Sequence, residues 1–325
     1  MRAARKLAFL DSFETAYSVM QIFRFSFSAM ACRCEIVIGY EVTQTSHDAQ
    51  HELQQSAQNS AQLAIAEVRR IEAKYSRYRP ESVIGVINQA AGKKPIDCDA
   101  ETWTLLEYAD TLYRSSGGLF DITAGVLRRA WNFSHATLPT EQTLVELCSL
   151  IDWSSLERQD QQIYLPRQGM ELDFGGFGKE YAADKAAVVL QAQQVRCGYV
   201  NLGGDIRVLG PKPDQQAWQI GIQDPRCTDQ IIASIAIERG GLATSGDYQR
   251  FFELDGRRYC HIVHPRTGWP VEHWRSITVI APLTTMAGSC TTIGMLKQEN
   301  CLDFLHQAGV DYLAIDHTGQ LHKNH

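Results

Sequence analysis

This chain of 325 residues lacks the features that mark membrane-spanning and nucleic-acid-binding proteins. No stretch reaches the roughly 18 apolar residues of a membrane-spanning helix. Lys and Arg form no concentrated run, and the formal net charge is -6, which argues against nucleic acid as the main partner. We therefore expect a globular protein whose partners are small molecules or other proteins.

Cysteine occurs without a disulfide or metal-binding pattern. The nine cysteines are odd in number and scattered along a chain long enough to fold without disulfides. Cys32 and Cys34 are a close pair, but without a second pair or a His-x-His partner they make a poor zinc site. Free thiols in a reducing compartment are the expectation.

The first residues contain basic side chains but no export signal. Asp11 and Glu14 interrupt the apolar core of about 7–15 residues that such a signal requires. We predict an N-terminal extension over 1–21 and one domain over 22–325, in the cytoplasm.

Apolar periodicity predicts a mixture of helices and strands. Alternation after Ile22 favours two strands around a break at 28–31. An amphipathic helix is predicted over 62–78, and other helices over 101–115 and 141–151. The apolar stripe of the first helix is assigned to Leu63, Ala64, Ala66, Ile71 and Tyr75, with Val68 on its edge. The simplest account is an α+β fold, a single two-lobed body with a mixed, largely antiparallel sheet and flanking helices.

The segment 242–270 combines a turn signal with two histidines. Residues 243–247 are predicted as a loop of small residues, and Asp255-Gly256 between apolar runs predicts a β-hairpin. Alternation along the second strand places His261 and His264 on opposite faces. A histidine at a strand end can transfer protons near neutral pH or make structural hydrogen bonds, and the pattern leaves both open.

Glycines and two aspartates interrupt apolar runs elsewhere. A short strand is predicted over 171–174, followed by a glycine-rich turn at 175–178 and a helix from about Lys179. Backbone amides and the helix dipole favour an anion at such a turn, although the spacing matches neither the dinucleotide nor the Walker motif. Asp121 and Asp173 each either cap a turn or bind a ligand.

Seven segments, in order, resemble the ApbE-type FAD:protein FMN transferases, from about Phe27 to Leu313. They are SRYRPESVIGVIN, GGLFDITAGVLRRAW, LDFGGFGKEYAADKA, VNLGGDIRVLG, LATSGDYQRFFELDGRRYCHIVHPRTGWPV, SITVIAP and MAGSCTTIG. Members of this family move the FMN half of FAD onto a Ser or Thr hydroxyl of a partner protein with a divalent cation, usually Mg²⁺; some instead hydrolyse FAD. The resemblance implies an ApbE-like fold, FAD as donor, Mg²⁺ and an acceptor protein.

The resemblance also implies roles for individual residues. Transfer needs a base for the attacking hydroxyl, and His261 is the candidate. Flavin contacts are implied at Met30, Tyr78, Leu119, Phe120, Asp121, Asp173, Lys179 and Ile262. A metal site is implied at the carbonyl of Gly176 and at Thr292.

The chain departs from the family pattern near the implied metal site. Gly288 stands where most members carry a metal-ligating aspartate, and Mg²⁺ prefers carboxylate and phosphate oxygens. His264 stands where the common motif has aspartate, and Lys179-Glu180 is a milder variation.

Two hypotheses remain open. In the first, the chain is an active transferase whose metal is held by the FAD pyrophosphate, Gly176, Thr292 and water. In the second, it is a flavin-binding relative that has lost metal-dependent transfer and acts as a binding or partner protein.

Overall fold

The computed structural model describes residues 18–43 and 47–324. Its strands are β1 Ser18–Ala29, β2 Cys32–Thr43, β3 Ile96–Asp97, β4 Glu157–Gln159, β5 Gln162–Tyr164, β6 Cys197–Leu202, β7 Asp205–Gly210, β8 Trp218–Gln223, β9 Ile231–Ile237, β10 Gly240–Gly246, β11 Phe251–Leu254, β12 Arg257–Cys260, β13 Trp274–Ala281, β14 Asp311–Asp316 and β15 Leu321–Lys323. Its α-helices are α1 His47–Tyr75, α2 Val83–Gln89, α3 Ala100–Ser116, α4 Glu141–Cys148, α5 Gly178–Ala192, α6 Thr284–Lys297 and α7 Cys301–Ala308. Short 3₁₀ helices occur at Ile122–Arg129, Trp153–Ser155 and Gln298–Asn300.

One eight-stranded sheet organises the fold, in the order β1-β2-β6-β7-β10-β13-β14-β15. Each neighbouring pair in it is antiparallel over the described residues. Smaller sheets form from β11 and β12, from β8 and β9, and from β3, β5 and β4. The predicted α+β class with a largely antiparallel sheet is confirmed.

Helix α1 is longer than predicted, and its predicted apolar stripe is confirmed at Ala64, Ile71 and Tyr75 but not at Leu63 and Ala66, which are exposed. Leu63 is 49% exposed, whereas Ala57, Ala61, Ala64 and Val68 are fully buried. This spacing of four, three and four residues keeps one face of the helix toward the core. The helix extends back to His47 because small side chains on that face allow it to pack against the core. The polar composition of these residues gave no helical signal in the sequence.

Helices α5 and α6 position the candidate site. Helix α5 packs against α1 and the strands β6 and β7, and α6 packs against β10 and β13. The two helices also contact each other. Most of α6 is buried, including Ala287, Ser289 and Ile293, so its backbone is held firmly against the sheet.

Two local predictions were wrong. Residues 171–174 are irregular: Leu172 donates its N–H to Asn88 Oδ1 at 2.6 Å, and Asp173 donates its N–H to the Ile122 carbonyl at 2.9 Å. These bonds satisfy the backbone without a neighbouring strand. Residues 243–247 are not a loop, because 243–246 belong to β10 and pair with β13.

Element boundaries differ from the sequence-based ones at two ends. Strand β1 begins at Ser18, so it includes residues 18–21 of the predicted extension; residues 1–17 lie outside the described residues. Helix α4 ends at Cys148, before the predicted end at 151. Across the described ranges, no helix combines the length and apolar character needed to cross a bilayer.

Candidate active site

A cavity of about 990 Å³ is lined by residues from α5, α6, the 3₁₀ helix Ile122–Arg129 and the segment that follows β12. Its volume lies at the upper end of the roughly 300–1,000 Å³ usual for small-molecule sites. Residues implied by the resemblance line it from distant parts of the chain: Tyr78, Leu119, Phe120, Asp121, Asp173, Gly176, Lys179, His261, Ile262 and Thr292.

Met30 lies outside this lining. It occupies the turn between β1 and β2 with a φ of 51°, and its N–H donates to Glu72 Oε1 at 2.5 Å. Its side chain packs against the main core. Its predicted contact with flavin stays a prediction.

Four residues, Lys179, Glu180, Asp205 and Thr292, form what we call the carboxylate wall of the cavity. Lys179 Nζ donates to the Asp205 carboxylate and to the Leu202 carbonyl, and lies 4.0 Å from Glu180 Oε1. Burial alone would lower the pKa of Lys179, but the neighbouring Asp205 and Glu180 carboxylates outweigh it and raise the pKa. Lys179 is therefore charged at neutral pH.

Glu180 is the least satisfied member of the carboxylate wall. It is 8% exposed, and its Oε2 has no hydrogen-bond partner within the described residues. Burial, followed by the nearby charge of Asp205, raises the pKa of Glu180 well above its usual range. A buried, unpartnered carboxylate oxygen is costly, which makes this side chain a candidate for a ligand contact.

The glycine turn before α5 is shaped by close contacts. A Cβ at Gly176 would lie 2.7 Å from Phe120 Cζ, so the chain passes the ring only with glycine at this position. The Gly175 N–H donates to Asp173 Oδ1 at 2.9 Å, and α5 then begins at Gly178 without a side-chain cap. An uncapped helix start on a cavity is suited to an anion.

Asp173 is held by two arginines that sequence reasoning missed. Its Oδ2 accepts from Arg77 Nη1 at 3.0 Å and lies 3.2 Å from Arg128 Nε. Both arginines line the cavity. Each lies inside a segment that carried the resemblance, SRYRPESVIGVIN or GGLFDITAGVLRRAW, and that position was the available signal.

Asp121 acts as a cap, the first of its two predicted alternatives. Its Oδ1 accepts from the N–H and the hydroxyl of Thr123 at 2.8 and 2.6 Å, and its Oδ2 accepts from the Trp153 N–H at 3.1 Å. Burial raises its pKa despite these bonds. Asp121 also lines the cavity, so a flavin contact stays a prediction.

A second group, Arg250, Phe251, His261, Ile262 and Val263, forms what we call the hairpin wall. His261 directly follows β12, and its N–H donates to the Arg250 carbonyl at 3.0 Å. Its Nδ1 is buried and has no partner among the described residues. Burial, with the nearby Arg128 and Arg250 charges, lowers the pKa of His261 to about 4. Its imidazole is neutral at pH 7 and can accept a proton.

An aromatic cluster lies next to the hairpin wall, and Trp131 of this cluster also lines the cavity. The ring of Trp131 stacks on Tyr259 at 5.9 Å and meets Trp269 edge-on at 5.4 Å. Trp131 Nε1 also donates to the Gly268 carbonyl at 2.8 Å. His264 begins the turn that ends at Gly268 and is not part of the cavity lining. The structure thus separates the two histidines, as the alternation predicts.

Tyr78 lies at the edge of the cavity and is 74% exposed. The Arg77 guanidinium lies 5.4 Å from its ring centroid. An exposed ring on a cavity is available for stacking, which agrees with the predicted flavin contact without testing it.

Comparison with known proteins identifies the family of this chain. The profile of the ApbE family matches residues 30–314. The chain belongs to the ApbE family.

Individual relatives agree with this assignment. The FAD:protein FMN transferase of Treponema pallidum (strain Nichols) is 33% identical over 263 residues, which cover 74% of this chain and 72% of the relative. That of Klebsiella pneumoniae (strain 342) is 29% identical over 76% of this chain and 79% of the relative. The crystal structure of the ApbE protein from Thermotoga maritima superposes with a TM-score of 0.83 and 27% identity, covering 94% of this chain and 97% of the other.

Metal-binding clusters built from side chains alone are not found. In residues 18–43 and 47–324, no three His, Cys, Asp or Glu side chains are grouped to hold a metal ion. The cysteines are free thiols, and Cys32 and Cys34 have their sulfur atoms 3.6 Å apart.

Proposed function

We propose that this chain transfers the FMN half of FAD onto a Ser or Thr hydroxyl of an acceptor protein and releases AMP. The observation that carries the proposal is that one cavity joins the glycine turn, the paired arginines and a neutral, unpartnered histidine. Membership in the ApbE family supports it.

Arg77, Arg128 and Arg250 suit the phosphates of FAD. Guanidinium groups bind phosphate oxygens through short, charge-assisted hydrogen bonds, and all three arginines line the cavity. Asp173 holds Arg77 and Arg128 in place by its ion pairs. We expect the pyrophosphate to lie between these arginines and the start of α5.

His261 would take the proton of the acceptor hydroxyl. The hydroxyl oxygen attacks the phosphorus of the FMN half, the bond to the AMP oxygen breaks, and AMP leaves with that electron pair. A neutral imidazole with a free ring nitrogen is the form that accepts the proton. Phosphate next to Arg128 would offset the positive charge and raise the low pKa of His261 toward neutrality.

The residues at the start of α5 and on α6 fit Mg²⁺ in part. The Gly176 carbonyl and the Thr292 hydroxyl are oxygen donors on the cavity, the kind Mg²⁺ prefers. Bound there, Mg²⁺ would neutralise charge on the pyrophosphate and on the leaving AMP. A carbonyl and a hydroxyl carry no charge, so tight binding calls for a carboxylate as well.

The test uses purified protein with FAD, MgCl₂ and acceptor domains that carry Ser or Thr flavinylation sites. We expect AMP in the chromatogram and FMN fluorescence that stays on the acceptor after denaturation. FAD that binds but is never consumed with Mg²⁺ or Mn²⁺ would support the flavin-binding alternative. AMP and FMN without a labelled acceptor would point to hydrolysis.

A further inference from the structure

Glu180 lines the cavity, and its carboxyl group lacks the partners that a buried polar group needs. The residue is 8% exposed, and its Oε2 makes no hydrogen bond to the described residues. Lys179 does not satisfy it, because the ammonium donates to Asp205 and stays 4.0 Å from the nearer Glu180 oxygen. Such a group in a native protein calls for an explanation, of which a bound ion is one.

Gly288 on α6 leaves the room that Glu180 occupies. A Cβ built at Gly288 would lie 2.5 Å from Glu180 Cγ and 2.8 Å from Oε1. Both positions are buried where α5 meets α6. In this conformation the Glu180 side chain therefore occupies the volume in which an aspartate side chain at position 288 would begin.

Thr292 brings a second oxygen to the same place. It follows Gly288 by four residues on α6, so both lie on one face of the helix. Glu180, Thr292 and Gly176 all line the cavity, as do the other charged groups nearest to Glu180, namely Lys179 and Asp205. A carboxylate, a hydroxyl and a carbonyl next to bound phosphates make an oxygen set typical of Mg²⁺.

We propose that Glu180 is the carboxylate ligand of a divalent cation in this cavity and replaces the aspartate that position 288 lacks. In this chain α5 rather than α6 supplies the carboxylate ligand, whereas Thr292 and Gly176 supply the other protein oxygens. The inference deepens the proposed function, on which its biological meaning rests, but cation binding is measurable without an acceptor.

The first test measures Mn²⁺ binding by electron paramagnetic resonance, with Mn²⁺ alone and after addition of FAD. Wild type should bind one Mn²⁺ per chain more tightly with FAD. Glu180→Gln keeps the shape and removes the charge, and should weaken Mn²⁺ binding by at least about tenfold. Glu238→Gln removes an exposed carboxylate outside the cavity and should leave binding unchanged.

A reciprocal exchange separates ligation from packing. The double variant Glu180→Gly with Gly288→Asp moves the carboxylate back to α6 and removes the steric conflict. It should recover most of the Mn²⁺ affinity that Glu180→Gln loses. Gly288→Asp alone places its Cβ against Glu180 and should lower the melting temperature and perturb Mn²⁺ binding.

The outcomes are distinct from those of the transfer assay. Wild-type Mn²⁺ affinity in Glu180→Gln, or an FAD-bound wild type with no Mn²⁺ site, would overturn the inference. If Glu180→Gln fails to fold, the double variant still decides: a folded double variant that binds Mn²⁺ supports ligation, and one that does not opposes it. Mn²⁺ binding through Glu180 without any transfer would leave the cation site standing and refute the proposed function.

Discussion

The carboxylate wall and the hairpin wall line one cavity but are built in different ways. Lys179, Glu180 and Thr292 lie on helices packed against the eight-stranded sheet, and Asp205 begins a strand of that sheet. His261 instead leaves regular structure directly after a small two-stranded sheet, and aromatic rings hold that segment. The charged side chains thus lie on the central sheet and its helices, whereas the proton acceptor lies directly after a strand of the small sheet.

The difference teaches that the two walls can be altered separately. The aromatic cluster around Trp131 is separate from the core cluster of α6, although Phe251 and Ile262 of the hairpin wall pack against the α6 cluster. Glu180 and His261 share no hydrogen-bond partner among the described residues, and substitutions at sites without shared partners usually have additive effects. We therefore expect cation binding to follow the carboxylate wall and proton transfer to follow the hairpin wall.

The largest expected effect is that of His261→Ala. Loss of a general base lowers rates by about 10²–10⁴-fold, so transfer should fall by at least about 100-fold. FAD binding and Mn²⁺ binding should remain close to wild type, because the variant leaves the carboxylate wall intact. Transfer rates with a flavinylation acceptor and Mn²⁺ titrations provide the measurements.

His264→Ala is the matched control for this variant. It removes the same side chain three residues away, from a position that does not line the cavity. Its transfer rate should stay near that of wild type. Unchanged turnover in His261→Ala would remove His261 from the mechanism, and lost Mn²⁺ binding would show that the walls are not independent.

The next effect is a pH dependence of stability that belongs to the hairpin wall. The pKa of His261 is about 4 in the folded protein, below the ordinary value of 6.5. As pH falls below 6.5 the unfolded chain takes up the proton first, so stability is full above about pH 6.5 and is lost down to about pH 4. The loss should be on the order of 2 kcal/mol.

Urea unfolding between pH 7.5 and 4.5 measures this effect. His261→Gln cannot titrate, so the free energy of unfolding of wild type relative to this variant should fall with pH over that range. The pKa of His264 is lowered by burial and by Arg266, so it adds a slope of the same sign that is common to both proteins. Parallel curves for wild type and His261→Gln would contradict the low pKa of His261.

Sequence reasoning singled out some residues of each wall but not the contacts that complete them. His261, Lys179 and Thr292 lie in segments whose local patterns or resemblance to a family drew notice. Arg77 and Glu180 were missed as site residues because their importance comes from distant partners. Asp173 lies far along the chain from Arg77, and Gly288 from Glu180. Such pairings depend on tertiary packing, which the periodicity of the sequence does not reveal.

Secondary structure was predictable where the local pattern and the packing agree. Helix α3 runs from Ala100 to Ser116 and ends at Gly117 with a φ of 71°, as its glycine signal predicts. The hairpin of β11 and β12 follows the Asp255-Gly256 signal in the same way. The error over 171–174 arose because side-chain and loop partners satisfy that backbone, and apolar alternation cannot reveal them.

The smallest expected effect lies outside both walls, at Tyr78. Because this ring is 74% exposed, Tyr78→Ala should change the free energy of unfolding by no more than about 0.5 kcal/mol. If the ring stacks on flavin, FAD binding should weaken by about 1 kcal/mol, and Tyr78→Phe should retain most of it. Fluorescence titration of FAD measures both variants. Equal FAD affinity in wild type and Tyr78→Ala would show that the Tyr78 ring does not contribute to FAD binding; equal losses in Tyr78→Ala and Tyr78→Phe would assign the contact to the Tyr78 hydroxyl.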